Sequence, residues 1–258
     1  MDPRKPMAAF FDIDGTIAAN NQPPLERDVR AIRAFRAAGN RVFLCTGRST
    51  GYLYDAVTDI GFDGIVAGAG AYVTCDGEVL HRTFVEPSVL APLLTRFEHS
   101  DQNLIMETEQ GMIQLAPLAA PWVIKSYPRI HTASEWHQQY ADEVVSKLTV
   151  YGFPVPDDVR VMLLEHLSLI EHPNYYEAVP RGCSKSDGMR RVLEHIGIPR
   201  EQSLAFGDSA NDSDMLQFAG HGVAMGNATD DVKSLADEVT LPHAEGGVAA
   251  VLERLIAN

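Results

Sequence analysis

Short apolar runs alternate with amphipathic stretches over the first 80 residues. Ala8-Ala9-Phe10-Phe11 is too short for a helix, stops at Asp12, and predicts a buried strand. Leu25, Val29, Ile32 and Phe35 recur at helical spacing over 25–38, with Gly39 closing the helix. Arg41–Cys45 and Gly64–Ala67 read as two more buried strands, and between them 49–60 sets Leu53, Val57 and Ile60 on one helical face. Ala71–Cys75 and Glu78–His81 flank Asp76-Gly77, a strong two-residue hairpin signal. The same rhythm resumes late, with helices over 186–196, 212–219, 229–236 and 246–257. Strands at Ser203–Phe206, Gly222–Ala224 and Glu238–Leu241 lie between them.

Strands alternating with helices imply a parallel sheet covered on both faces, an α/β fold of the Rossmann-like, doubly wound kind. The middle of the chain reads differently. It has a helix over 87–99, a hairpin-like pair around Gln110-Gly111, a helix near 134–145 and strands near 147–151 and 167–171. Pro117, Pro121, Pro128, Pro154 and Pro156 interrupt it. The expected organisation is a core of 1–82 and 182–258 carrying an inserted α+β domain, 83–181.

Composition narrows the class. With 258 residues, 45% hydrophobic and 22% charged, the chain is expected to be a soluble globular protein of one or two domains. Twenty-one Lys and Arg against 35 Asp and Glu give a net charge of −14, which repels nucleic acid and anionic membranes, and no basic run offsets it. Neither is expected as a partner. Cys45, Cys75 and Cys183 are far apart and include no Cys-x-x-Cys, which points to buried thiols rather than a disulfide framework or a zinc site. Met1–Phe10 holds no apolar stretch of signal-peptide length, and no window of about 18 apolar residues occurs, so a cytoplasmic location is expected. Oligomeric state is not legible.

Four places carry chemistry. Phe11-Asp12-Ile13-Asp14-Gly15-Thr16 sets two carboxylates where a buried strand ends, the ligand-binding edge of an open α/β sheet. Thr46-Gly47-Arg48 follows the next strand with a hydroxyl and a freed N–H, an anion cradle or a plain capped turn. Lys185 begins a helix, where a cation is disfavoured unless an anion is near. Gly207-Asp208-Ser209-Ala210-Asn211-Asp212 again puts carboxylates at a strand end. Each alone has a bland reading, as an acidic turn, a helix cap or a surface lysine. Together they read economically as Asp12, Asp14 and Asp208 gathering oxygen ligands for Mg²⁺, with Thr46 and Lys185 holding a phosphate. A phosphate meeting a carboxylate at ~4 Å is repelled by several kcal/mol at an effective dielectric of ~20, so a cation is needed.

This ordered set resembles the four motifs of the haloacid dehalogenase superfamily of phosphohydrolases. Met225-Gly226-Asn227-Ala228 and Gly246-Gly247-Val248-Ala249 are similar to its Cof-type members. The stretch from Thr16 to Thr46 is too short for a cap domain, and the long insert before Lys185 resembles the α+β cap of Cof-type and sugar-phosphatase members. The resemblance implies that Asp12 is the nucleophile forming an aspartyl-phosphate and that Asp14 is the general acid and base, its carbonyl also on Mg²⁺. It implies that Thr46, Gly47, Lys185 and the Asn211 side chain bind the phosphoryl group. Asp208 would hold the metal, with Asp212 in support, and the cap would set specificity for a small phosphate ester such as a sugar phosphate. Two departures stand out: Ala69-Gly70-Ala71 where many relatives have Asn-Gly-Ala, and Ser186 where Gly often follows the lysine.

The remaining signals are weaker. Glu165-His166 and Glu171-His172 read as solvated or structural, with no His-Glu-x-x-His present. The Asn211-Asp212-Ser213 and Asn227-Ala228-Thr229 sequons mean nothing in a cytoplasmic chain. Trp122, Tyr127, Arg129 and Trp136 either line a pocket or form the insert's own core. Rival activities are a phosphomutase, which returns the phosphoryl group to sugar, and an idle domain that only binds a phosphorylated ligand. A dehalogenase would need neither the second carboxylate nor a metal.

Overall fold

The computed structural model describes residues 2, 4–116, 124–152, 156–172 and 174–257. The chain divides into two compact units, one of Met1–Gly47, Leu53–His81 and Ser184–Asn258, the other of Arg48–Tyr52 and Arg82–Cys183. The first unit opens with β1 (Ala8–Phe11), α1 (Glu26–Ala37), β2 (Arg41–Cys45), α2 (Asp55–Thr58) and β3 (Gly64–Ala67). The hairpin β4 (Tyr72–Cys75) and β5 (Glu78–Arg82) follows, turning through Asp76 and Gly77 at φ 51° and 82°, as its Asp-Gly predicts. The second unit supplies α3 (Pro87–Phe97), β6 (Asn103–Thr108), β7 (Met112–Leu115), β8 (Arg129–Ile130), α4 (Ala133–Gln139), β9 (Val145–Tyr151), α5 (Asp157–His166), β10 (Leu167–Glu171) and β11 (Tyr175–Pro180). The first unit resumes with α6 (Lys185–Ile196), β12 (Ser203–Gly207), α7 (Ser213–Phe218), β13 (His221–Ala224), α8 (Asp230–Lys233), β14 (Glu238–Val239) and α9 (Gly247–Ile256).

Among the described residues the first unit has one sheet, in the order β14-β13-β12-β1-β2-β3-β4-β5. The six strands from β14 to β3 run parallel, and β4 is antiparallel to β3. Side chains alternate across this sheet, so each strand feeds two cores. Ala9, Phe11, Leu44 and Phe206 pack with Ile32 and Phe35 of α1 and Val248 and Leu252 of α9. Ala8, Phe10, Phe43 and Ala205 pack with Met189 and Val192 of α6 and Met215 of α7. Burial on both faces explains why these strands read as continuous apolar runs. The doubly wound α/β class is therefore found.

Some elements differ from the periodicity. The helix expected over 49–60 is a 3-10 turn, Thr50–Tyr52, followed by the short α2. A Cβ at Gly51 would stand 2.2 Å from the Gly111 nitrogen, and this close backbone approach leaves no room for a continuous helix. The helix expected near 134–145 stops at Gln139. Neither β8, α5 nor β11 was legible. On α5, Val159 and Leu163 are buried while Val161 and Leu164 are exposed, which blurs the helical stripe.

The second unit's sheet has the order β10-β11-β9-β6-β7-β8 and is antiparallel except between β7 and β8. One face gives Leu104, Met106, Leu148, Val150 and Ala178 to an apolar core with α3, α4 and α5. Trp136 is part of that core, whereas Arg129 is exposed and Tyr127 meets the Tyr52 ring edge-on. Trp122 lies outside the described residues. The alternate positions hold buried ions, since Lys147 Nζ lies 3.0 Å from Glu107 Oε1 and 2.6 Å from Glu177 Oε1. Burial opposes ionisation of Glu177, but Lys147 and His172 hold its carboxyl down at about 2. Among the described residues no helix is long and apolar enough to cross a membrane, and the three cysteines are buried thiols outside any disulfide.

Asp28 ties two helices of the first unit. From α1 its Oδ1 accepts the Ala249 N–H in the first turn of α9 at 2.7 Å, while its buried Oδ2 has no partner among the described residues. Burial pushes this carboxyl up to about 6, the Ala249 N–H opposing. The folded chain thus binds the proton more tightly than the unfolded chain. A penalty on folding is in force above pH about 6 and is lifted as the pH falls from there towards 4, a span of about 2–3 kcal/mol for this one group. Asp28→Asn removes that titration. Thermal melts should show the variant gaining stability relative to wild type at pH 8 compared with pH 4.5; an unchanged difference would show that Asp28 does not titrate in this window.

Candidate active site

Polar chemistry gathers where the parallel strands end. The chain leaves β1 towards β2 on one side and leaves β12 towards β13 on the other, so the sheet order reverses between β1 and β12. Open α/β sheets bind ligands at such a point. Phe11 pairs with Phe206 in register, which sets Asp12 and Asp208 just beyond two adjacent strand ends. Thr46 follows β2, the other neighbour of β1, and is buried.

The centre is Lys185, only 1% exposed. Its ammonium donates to Asp12 Oδ1 at 2.7 Å and to Asp212 Oδ1 by a shorter contact. Asp212 Oδ2 in turn accepts the N–H groups of Asp208 and Ser209, both at 3.0 Å. Asp12, Asp208 and Asp212 each present an oxygen within 4.8 Å of the others. If all are ionised, three carboxylates face one ammonium. Burial and then the Asp212 charge push Asp12 well above the usual carboxylate range, although Lys185 opposes them. The same two causes raise Asp208 to about 7. Burial works against the Lys185 charge, yet Asp12 and Asp212 outweigh it and hold its ammonium well above the ordinary lysine value. The arrangement is short of positive charge.

Backbone geometry shapes the rim. Gly15 has φ 87°, and a Cβ there would stand 2.1 Å from Asp208 Oδ2, so only glycine lets the loop after β1 lie against that carboxylate. The Ile13 carbonyl accepts the N–H groups of Thr16, Ile17 and Ala18, folding this loop into a tight knot. Asp14 is exposed on it. Thr16 is fully buried, and its hydroxyl has no partner among the described residues. Asn227 bridges the knot to Asp208, donating to Gly15 O at 2.9 Å and to Asp208 Oδ2 at 3.2 Å. Asp208 Oδ1 is buried without a partner among the described residues. Ser209 donates to Asn211 Oδ1 at 2.7 Å, fixing that amide in the turn after β12.

The turn after β3 braces the site. Gly68, Ala69 and Gly70 all take positive φ, at 56°, 51° and 94°. Ala69 is thus left-handed, a conformation that asparagine tolerates better than alanine. Its N–H donates to Thr46 O at 3.1 Å, and a Cβ on Gly70 would stand 2.3 Å from Ser184 O. Ser184 caps α6 by accepting the Asp187 N–H at 3.1 Å, which directs Lys185 inward from the first helical position. Ser186 continues the helix, its N–H donating to Asp214 Oδ2 at 2.9 Å. One turn therefore touches the residues that set both Thr46 and Lys185.

Asp12, Lys185, Asp208 and Asp212 are brought together, with Asn211 on the same loop as the last two. The Asp14 side chain is not part of the acidic group, and Gly47 lies in the turn beyond Thr46. Sequence reasoning left out the direct Asp212–Lys185 contact and the bridging role of Asn227. Asn227 stands just beyond β13, a strand end like the others, which was a usable signal.

Clustered carboxylates, a buried ammonium and turn N–H groups meet at a sheet switch point, groups of the kind that phosphoryl chemistry uses. The sequence model of the haloacid dehalogenase-like hydrolases matches residues 9–252, and the chain belongs to that family, as a Cof-type phosphatase. It is 28% identical over 283 residues to the phosphatase YwpJ of Bacillus subtilis (strain 168), covering 95% of this chain and 98% of that one. A crystal structure of a Geobacillus kaustophilus HTA426 protein superposes with a TM-score of 0.84 at 26% identity, over 97% of this chain and 99% of that one. The sugar phosphatase BT4131, of subclass IIB, superposes with a TM-score of 0.79 at 24% identity, over 96% and 98% of the two chains.

The bracing turn yields a test. Gly70→Ala must push Ser184 and with it the Lys185 helix start, and a 1 Å misplacement costs about 100-fold in rate. The kcat for phosphate-ester hydrolysis should fall by about tenfold or more. Gly77→Ala suffers similar backbone strain, at φ 82° with nothing within 4 Å of its Cβ, and should keep wild-type kcat. Equal kcat in both variants would remove the bracing role.

Proposed function

We propose that the protein is a Mg²⁺-dependent phosphomonoester hydrolase of a small phosphorylated metabolite, working through an aspartyl-phosphate. The observation that carries this reading is the Lys185 ammonium held between Asp12 and Asp212, beside the unpartnered oxygen of Asp208. Lys185 occupies Asp12 Oδ1 and leaves Oδ2 as the attacking atom. Attack on phosphorus forms the Oδ2–P bond and breaks the bond from phosphorus to the alcohol oxygen. Asp14, exposed on its knot, gives its proton to that departing oxygen. It then takes a proton from the water that cleaves the aspartyl-phosphate, restoring Asp12. Lys185, Thr46, Gly47 and the Asn211 amide bind the phosphoryl oxygens.

The donor set fits a hard divalent cation. The Asp12 carboxylate, Asp208 Oδ1 and the Asp14 carbonyl are the groups proposed to hold Mg²⁺, which prefers few carboxylates plus substrate phosphate. When bound, the ion supplies charge neutralisation and polarises the phosphoryl group. Asp212 is spent on Lys185 and two backbone N–H groups, which supports its role as a brace instead of a ligand. The segment 83–181 is proposed as the specificity cap. Sugar phosphates are the first substrates to screen, since a structural neighbour is named a sugar phosphatase.

Purified protein should release inorganic phosphate from p-nitrophenyl phosphate with Mg²⁺, and EDTA should abolish the release. Asp12→Asn should lower kcat by about 10⁴-fold or more with the circular-dichroism spectrum intact. Lys185→Ala should lower it by about 10²–10³-fold. Near-wild-type turnover in Asp12→Asn would exclude this nucleophile. Phosphoryl return to a sugar, in place of free phosphate, would mark a mutase.

A further inference from the structure

A chain of hydrogen bonds runs to Asp208 from the loop between β14 and α9, which lies outside the four motif segments. Asn227, just beyond β13, donates from Nδ2 to Gly15 O at 2.9 Å and to Asp208 Oδ2 at 3.2 Å. Among the described residues no other hydrogen bond reaches the Asp208 carboxylate. His243 begins the 3-10 turn His243–Glu245 and holds the far end of the Asn227 amide twice over. Its backbone N–H donates to Asn227 Oδ1 at 2.8 Å, and its ring Nδ1 lies 3.2 Å from the same oxygen. The two loops meet backbone to backbone. Gly226 N donates to Leu241 O at 3.1 Å, and a Cβ on Gly226 would stand 2.6 Å from Pro242 N. On the other side, a Cβ on Gly247 would stand 2.1 Å from Leu241 O, so the start of α9 presses the same segment.

The backbone decides the direction of every bond in this chain. A carbonyl only accepts and an amide N–H only donates, so Gly15 O and His243 N together allow one orientation of the Asn227 amide. Its oxygen faces His243, which makes Nδ1 the nitrogen that carries the imidazole hydrogen. Its nitrogen faces Asp208, and this one donor fixes the torsion of that carboxylate. We propose that His243 and Asn227 are positioning residues for a divalent cation: the imidazole sets the amide, and the amide sets the Asp208 carboxylate. The inference rests on the proposed role of Asp208 in holding Mg²⁺. Partners that orient a ligand in this way commonly change metal affinity by about 10–100-fold when removed.

Mn²⁺ titrated into the full chain and followed by electron paramagnetic resonance measures cation affinity apart from turnover. Asp208→Asn should abolish tight Mn²⁺ binding and so identify the site. Asn227→Ala should weaken Mn²⁺ by at least about tenfold. His243→Ala should weaken it by about three- to tenfold, since the backbone N–H of that position stays in place. His243→Asn puts an amide Nδ2 where Nδ1 was and should return the affinity to within about twofold of wild type. In His243→Ala the Mg²⁺ concentration for half-maximal rate should rise by the same factor as the Mn²⁺ dissociation constant, with kcat at saturating Mg²⁺ little changed. Wild-type Mn²⁺ affinity in Asn227→Ala or in His243→Ala would overturn the inference and leave the metal reading intact. Equal weakening in His243→Ala and His243→Asn would overturn it too, because the ring donor would then not be the cause. No Mn²⁺ binding by the wild-type chain, or unchanged binding in Asp208→Asn, would remove the metal reading and the inference with it. Should Asn227→Ala not fold, the two His243 variants decide the matter alone.

Discussion

The ammonium of Lys185 is held out of water between two carboxylates that the chain order keeps far apart, Asp12 near the start and Asp212 near the end. Taking each such ion out of water costs several kcal/mol, and removing one partner of a buried pair costs about 3–5 kcal/mol. The contact therefore demands that β1, β12 and the start of α6 be held in close tolerance. Everything around it serves that demand. Phe11 stacks on Phe206 at 5.0 Å between ring centres, locking the two strands whose ends carry the acids. Ser184 caps α6 so that its first side chain turns inward.

One ammonium among three carboxylates is an incomplete neutralisation, and the incompleteness is chemically useful. A site that had balanced its own charge would have no reason to take up a cation. Here Asp208 is raised to about 7 and has one oxygen with no partner among the described residues, so the site is better stabilised by gaining positive charge than by its own contacts. The glycines belong to the same logic. Gly15 and Gly70 stand where a methyl group would collide with Asp208 and with Ser184. They are placed for the site, where close backbone approach is needed, and not for turn-making alone.

The second unit handles charge differently. Its sheet is apolar on the helix-covered face and ionic on the other, where Lys147 bridges one oxygen each of Glu107 and Glu177. Even so, Glu107 Oε2 stays buried with no partner among the described residues.

Along the chain, runs such as Ala8–Phe11 and Arg41–Cys45 determined the parallel core, since strands buried on both faces can be nothing but apolar. Strand-end chemistry likewise marked Asp12, Thr46 and Asp208, because an open sheet presents its ligands there, and Lys185 was marked as a cation at a helix start. The segments β8, α5 and β11 stayed hidden, their periodicity blurred by exposed apolar residues such as Val161 or by brevity. The brace formed by Ala69 and Gly70, the Asn227 bridge and the Asp212–Lys185 contact were decided only by tertiary structure. Each joins residues that no local pattern relates, and a hydrogen bond across more than a hundred residues exists only once the strands have set both ends at bonding distance.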